Sequence, residues 1–458
     1  MIEELICYRN FENDKLLMMV SELMDQTTQG SFVTVSSHDK ELFYNSMSEL
    51  IRFAGEGGFY GNLWHDYLTS LLVNNENTYS LACEMKGRVD GTINDIVIHD
   101  MEVFEKFFHY DFKTLLDNLG DKQFYKLLDY KPVGNDSKIY NKRIRDRICT
   151  LARDLSLSAD AAAMKDCLTS FYKEYGVGKL GLHKAFRVGR HMGDETGGLS
   201  EELPDYRAYA RSVPSYNNYV TIEPIKNIRH VKFDDLIGYD AAKKKLIDNT
   251  EAFLAGRPAN NCLLYGDAGT GKSTCIKALA NTYFDKGLRI IEIYKHQFKD
   301  LNDVIAMVKG RNYRFIIYMD DLSFEDFETE YKYLKAVIEG GLEKKPENVL
   351  IYATSNRRHL IKESFKDKKS LSDDGDIHSS DTVQEKISLS ARFGVSIYFG
   401  KPDPKEFKLI VKGLADRNGI DMPEQELLRK AGQWELNHGG LSGRCAQQFV
   451  DYLLGQNL

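Results

Sequence analysis

Apolar residues recur at three- and four-residue intervals through most of the first 190 residues, as in DKLLMMVSELMD, DKELFYNSMSELIRFAGE and IHDMEVFEKFFHYDFKTLLDNLG. That spacing predicts amphipathic helices, each with one face turned to a core. The glycine-rich GEGGFYGN at 55–62 reads as a break between two of them. NKRIRDRICTLARDL at 141–155 is basic, yet Ile144, Ile148 and Leu151 keep the helical period, so its arginines read as a solvated face over a core stripe. The pattern lapses in HMGDETGGLSEELPDYRAYARSVPSYNNY at 191–219, which is polar and broken by Gly and Pro. A linker or loosely packed arm is therefore expected over 191–224. Beyond it, short apolar runs (NCLLY, LRIIEIY, RFIIYMD, NVLIYAT, VSIYF) alternate with helical segments such as STCIKALANTYFDKG and YKYLKAVIEGGLEKK. Strand–helix alternation over 225–402 predicts a parallel α/β sheet with right-handed crossovers. From 403 to 458 the strand pattern stops, and PKEFKLIVKGLADRNG and PEQELLRKAGQWELN predict a small helical domain.

Composition adds bounds. A chain of 458 residues is too long for one core, and length alone suggests about three domains. The net charge of −7 leaves no electrostatic footprint for non-specific nucleic-acid binding, which argues against nucleic acid as a partner. No apolar run approaches the roughly 20 residues that a membrane helix needs. The acidic start MIEELICYRN lacks the basic-then-apolar order of a secretory signal, so a cytoplasmic protein is expected. Seven scattered cysteines without CxxC spacing exclude a zinc site of that kind and point to reduced thiols. Cys275 reads as a small buried filler.

One stretch carries strong chemistry. Gly266, Asp267, Ala268, Gly269, Thr270, Gly271, Lys272 and Ser273 match the phosphate-binding pattern GxxxxGK[ST] at every fixed position. A strand delivers the chain into a turn whose glycines expose backbone N–H groups, and the following helix, which includes the candidate binding residue Thr274, aims its N-terminus at the same anion. Lys272 would reach the β- and γ-phosphates of ATP, and the Ser273 hydroxyl would ligate Mg²⁺. The strand RFIIYM ends in Asp320 and Asp321. Asp320 is the candidate metal-side carboxylate, and Asp321 or Glu325 the group that orients or activates water. NVLIYATSN ends the next strand in Thr354, Ser355 and Asn356, a place from which a short polar side chain could position water. Arg392, before the last strand, and Arg444, opening the final helix, read individually as ordinary surface ion pairs.

The order of glycine loop, MDD, ATSN, ARFG and distal SGR resembles the AAA+ ATPases. The segments FDDLIGYDAAKKKLIDNTEAFLAGRPANNCLLYGDAGTGKST, DDLSFED and NVLIYATSNRRHL are similar to an uncharacterised bacterial AAA+ family of predicted ATPases. The likeness is dense from about residue 225 onward and thinner over 61–87 and 184–189. It implies a core of five parallel strands flanked by helices, with a C-terminal helical lid over the nucleotide. It further implies that Leu236-Ile237-Gly238-Tyr239 wraps the adenine, with Ile237 and Gly238 as binding residues. By the same resemblance Asn356 is the sensor after the fourth strand, Arg392 the arginine finger and Arg444 the second sensor. One departure stands out: most members carry Asp-Glu where this chain has Asp320-Asp321.

The expected function is Mg²⁺-dependent hydrolysis of ATP to ADP and phosphate, coupled to conformational change in a homo-oligomeric ring or dimer, with Arg392 available to act in trans. The helical N-terminal domain would meet a protein partner. The shorter Asp321 motivates an alternative, a nucleotide-gated switch with negligible turnover. A nucleic-acid loader or remodeller ranks lower, and a small-molecule kinase lower still.

Overall fold

The computed structural model describes residues 1–11, 14–28, 37–110, 122–131, 141–192, 218–226, 228–324, 330–339, 346–357, 360 and 389–456. Two compact units are present, Met1–His183 and Lys184–Leu458.

In the first unit the predicted helices form because their apolar stripes can be buried together. In the helix Ile93–Phe108, Val97, Met101, Phe104 and Phe108 lie three or four residues apart and all are buried. The basic helix Lys142–Ser156 buries Ile148, Leu151 and Leu155. Arg145 pairs with Asp146, and Arg147 lies 4.0 Å over the Tyr175 ring, so these arginines serve intramolecular contacts. Trp64, deep in the core, donates its indole N–H to the Phe107 carbonyl at 2.8 Å. Seven free cysteines are present, and Cys275 is fully buried with its thiol pushed up to about 12 by burial, which makes it a filler.

Buried acids, Asp100 and Asp66 among them, interrupt the apolar stripes. Asp100 accepts the backbone N–H groups of Ile6, Cys7 and Tyr8 at 2.8, 2.7 and 2.9 Å, fastening the N-terminal segment to the helix 93–108. Asp100→Ala would strand those donors, and the expected loss is about 3 kcal/mol or more. Urea unfolding monitored by Trp64 fluorescence measures it; a cost under about 1 kcal/mol would show that the clamp is dispensable.

Asp66, in the helix Leu63–Asn74, is 3% exposed, and among the described residues its Oδ2 has no hydrogen-bond partner. Burial pushes its carboxyl up to about 7, against the opposing hydrogen bond with the Cys149 thiol. An unfolded chain ionises this group near pH ~4, so between the two values the folded state holds a proton that the unfolded state lacks. Stability from this residue is therefore present at acid pH and lost as pH rises toward 7. Thermal midpoints should fall more steeply from about pH 4 to 7 in the wild type than in Asp66→Asn. Parallel curves would refute the assignment.

The second unit is built on one sheet of seven strands: β1 Ala185–Met192, β2 Asn218–Pro224, β3 Cys262–Gly266, β4 Leu288–Glu292, β5 Arg314–Met319, β6 Val349–Ser355 and β7 Val395–Phe399. Their order is β2-β1-β4-β5-β6-β3-β7. All neighbouring pairs are parallel except β1 with β2. The five apolar runs are all strands, β3 to β7. The sheet nevertheless exceeds the expected five, because β1 and β2 extend it beyond β4. Both expected boundaries, at 190 and 224, fall within these strands, and the division between units lies at His183–Lys184. Buried Phe186 and Val188 alternate with exposed Arg187 and half-buried Gly189 along β1, a pattern far less apolar than the central strands. The intervening 193–217 lie outside the described residues.

After β7 come three helices, Pro404–Arg417, Glu424–Asn437 and Gly443–Gly455, packed on their own core of Phe407, Val411, Leu427, Phe449 and Val450. Asp403 caps the first, accepting from the N–H groups of Lys405 and Glu406, with Pro404 in the first turn.

Candidate nucleotide-binding site

The buried residues Cys262, Leu263 and Leu264 hold β3 one strand in from the sheet's edge, between β6 and β7, and aim the chain into the loop 266–271. Gly266 has φ +134°, and a Cβ there would lie 2.1 Å from the Phe399 carbonyl oxygen, so no other residue fits. Gly269, at φ +75°, is met by Ser442 and Arg444 from the last helix. Half-buried Asp267 sends its N–H to the Phe399 carbonyl at 3.0 Å, and exposed Ala268 follows it. Thr270 closes the turn by donating to the Asp267 carbonyl at 2.8 Å.

The helix Lys272–Tyr283 begins with Gly271 as its cap residue, and no side chain satisfies its first N–H groups. Such a bare helix start, with half-buried Thr274 in the first turn, is suited to an anion. The Lys272 ammonium donates to the carbonyls of Gly266 (2.9 Å) and Asp267 (2.6 Å) and to Asn356 Oδ1 (3.1 Å). Burial lowers its pKa, while Asp321, Asp267 and Asp320 work in the opposite direction.

Asp320 follows β5, and its Oδ1 accepts four hydrogen bonds. They come from Ser273 Oγ (2.7 Å), the Tyr318 hydroxyl (2.6 Å), Thr354 Oγ1 (2.6 Å) and the Asp321 N–H (3.1 Å). Partial burial alone would raise this carboxyl, but the donors outweigh it and hold it below the usual carboxylate range. Burial, then the neighbouring Asp320, pushes the Tyr318 phenol up, so it stays protonated and donates.

Asp321 adopts φ +49°, a left-handed conformation. Its N–H also reaches Thr354 Oγ1 at 3.0 Å, and its carboxylate accepts from Asn356 Nδ2 at 2.7 Å. Short-chained Asp is among the few residues that tolerate this backbone, which gives a local reason for Asp rather than Glu. β6 lies between β5 and β3, so the end of β6 brings Thr354 and Asn356 beside both the acids and the loop. The Ser273 hydroxyl and the Asp320 carboxylate, in contact at 2.7 Å, offer oxygen ligands of the kind that suit a hard cation such as Mg²⁺.

Leu236 is buried against the loop, where its Cδ2 lies 2.6 Å from the position of a Cβ on Gly271. Ile237 packs into the core of the three C-terminal helices, and Gly238 turns the chain at φ +80°. Arg444 donates its backbone N–H to the Gly269 carbonyl at 3.1 Å, and its side chain is exposed. Arg392 precedes β7, at the opposite end of the sheet from the loop: Val395 pairs with Cys262, and Phe399 with Gly266. Glu325 lies outside the described residues, as do 358–359. Sequence reasoning missed Tyr318 and the tie between Thr354 and Asp320. Alternation along a strand, which puts residues 318 and 320 on one face, was the available signal.

The family described as "Protein of unknown function (DUF815)" matches residues 206–457. Two curated relatives are each named replication factor C large subunit. The one from Staphylothermus marinus is 38% identical over 82 residues, covering 18% of this chain and 19% of the relative. The one from Methanococcus vannielii is 26% identical over 199 residues, covering 41% and 38%. The chain thus spans less than two-fifths of the length of these relatives. Among solved structures, the Thermotoga maritima RuvB Holliday junction branch migration motor is similar over 50% of this chain and 65% of that one, at 16% identity and TM-score 0.35. The FIGL-1 AAA domain in complex with ADP covers 48% and 72%, at 17% identity and TM-score 0.34. The match over more than half of the sequence, which includes the phosphate-binding loop, places the chain in the family described as "Protein of unknown function (DUF815)", a relative of the AAA+ ATPases.

Proposed function

We propose that this protein binds Mg·ATP and hydrolyses it to ADP and phosphate. The observation that carries the reading is the convergence, at the ends of β3, β5 and β6, of Lys272, Ser273, Asp320, Asp321 and Asn356 in one hydrogen-bonded set. The N–H groups of 267–274 bind the phosphates, and Lys272 exchanges its carbonyl partners for phosphate oxygens. Ser273 and Asp320 hold Mg²⁺, which supplies Lewis-acid neutralisation of charge on the phosphates. Asp321, held by Asn356, orients the attacking water and takes its proton, and Glu325 is the rival for that base role. Ile237 and Gly238 border the adenine. The helices from 404 act as a lid tied to the loop through Arg444, and Arg392 serves a neighbouring copy in a homo-oligomer. The work then divides: 225–402 turns nucleotide over beneath the 403–458 lid, while the helices of the first unit, Met1–His183, engage a protein client.

Steady-state phosphate release with Mg·ATP, over two decades of protein concentration, is the test. Specific activity that rises with concentration supports an assembling ATPase. Tight ATP binding with turnover below about one per minute would replace it with a nucleotide-gated switch, the reading that Asp321 in place of Glu favours. The printed name of the two curated relatives, replication factor C large subunit, supports a second reading, a nucleic-acid loader or remodeller, whereas the net charge of −7 favours a protein client. A gel shift with single-stranded and duplex DNA, repeated at rising salt, decides between them. Among the described residues no helix is long and apolar enough to cross a membrane.

A further inference from the structure

Asp320 Oδ1 is overfilled. A carboxylate oxygen offers about two lone-pair directions, yet four donors converge on this one. Ser273 is the donor with another task, because its hydroxyl oxygen is the natural ligand for a cation held beside a phosphate. The Tyr318 and Thr354 hydroxyls have no such alternative: both residues are buried, and both side chains end on this oxygen. From Phe315 to Met319 the β5 side chains are apolar apart from the Tyr318 hydroxyl. A phenylalanine would fill the same space in the core, so the hydroxyl is the part that packing does not explain. Among the described residues, no donor reaches Asp320 Oδ2.

We infer that Tyr318, seconded by Thr354, is a positioning residue for the metal: its hydroxyl pins Asp320 Oδ1 from inside the protein and leaves Oδ2 to face a divalent cation bound with the nucleotide. This rests on the nucleotide-site reading above. Ser273 would supply its oxygen to that cation, and the two buried hydroxyls would hold the carboxylate in place without Ser273. Hydrogen-bond partners of this kind are worth about 10–100-fold in metal affinity.

The test uses the full chain and a fluorescent ADP, N-methylanthraniloyl-ADP, titrated in EDTA and again in Mg²⁺. The ratio of the two affinities isolates the metal's share. Tyr318→Phe should bind as the wild type does in EDTA while losing about tenfold of the Mg²⁺ enhancement. Thr354→Val should lose it in the same direction, and Ser273→Ala should remove most of it. Electron paramagnetic resonance of Mn²⁺ with ADP gives a second readout, in which both hydroxyl variants release Mn²⁺ more readily. An unchanged enhancement in Tyr318→Phe, or an equal loss with and without Mg²⁺, overturns the inference and makes the tyrosine a core residue only. If the wild type bound the nucleotide no better than Lys272→Ala, the nucleotide-site reading itself would fall, and this inference with it.

Discussion

Lys272→Ala is expected to release phosphate from Mg·ATP at least 100-fold more slowly than the wild type, the range seen when one charge-stabilising donor is removed from a catalytic site. The three acceptors now around the ammonium are neutral oxygens, from Gly266, Asp267 and Asn356. A phosphate oxygen offers a stronger, charge-assisted partner, so the exchange needs no large movement of the lysine. Alanine removes that charge and leaves the same oxygens facing one another. Asn356 is affected as well, because its amide spans Lys272 and Asp321 and would lose one of the two bonds that fix its orientation. Lys272→Arg should fail nearly as badly. The lysine is only 6% exposed, and a planar guanidinium cannot occupy a space shaped for one compact ammonium. Phosphate release and equilibrium ATP binding on both variants are the measurements. Retention of more than about a tenth of wild-type turnover by Lys272→Ala would place catalysis elsewhere.

Legibility in the sequence followed how local each determinant is. The glycine loop could be read outright, since phosphate binding demands backbone conformations that only glycine adopts and a strand before with a helix after. The central strands were legible because burial on both faces leaves a continuous apolar run. β1 and β2 were not: neither is a continuous apolar run, polar residues such as Arg187, Arg190, Thr221 and Glu223 interrupt them, and each gains its place by pairing with the rest of the sheet. The pairing of Asp321 with Asn356 depends on β6 lying next to β5, and nothing in the linear spacing of 35 residues announces that. Asp66 and Asp100 were hidden for a related reason. A helical period marks apolar positions, so an acid that folds inward beside them looks like part of the solvated face.

Arg392→Ala should lower turnover by about 10³–10⁵-fold if the arginine acts as a finger on the transferred phosphate. Its place in the sheet argues that it serves a neighbour. β7 runs parallel to β3, and Arg392 precedes the end of β7 that pairs with Cys262, whereas the loop leaves from Gly266. Four steps of strand at about 3.3 Å each separate those ends by about 13 Å. The three residues from Arg392 to Val395 add to the gap, so the side chain would have to reach back along its own strand. A second copy docked with its 392 corner against the loop meets no such constraint. Mixing then separates the two arrangements. Arg392→Ala retains an intact loop, and Lys272→Ala retains an intact arginine; each alone should be nearly inactive. Combined in equal amounts, they should recover a measurable fraction of wild-type turnover, rising with total protein concentration, because mixed interfaces pair a working loop with a working arginine. Recovery points to a shared site. Two inactive variants that stay inactive together, with assembly confirmed by sedimentation, would mean that Arg392 serves its own subunit. Full turnover by Arg392→Ala alone would return it to the ordinary ion pairs of the surface, worth roughly 0–1 kcal/mol.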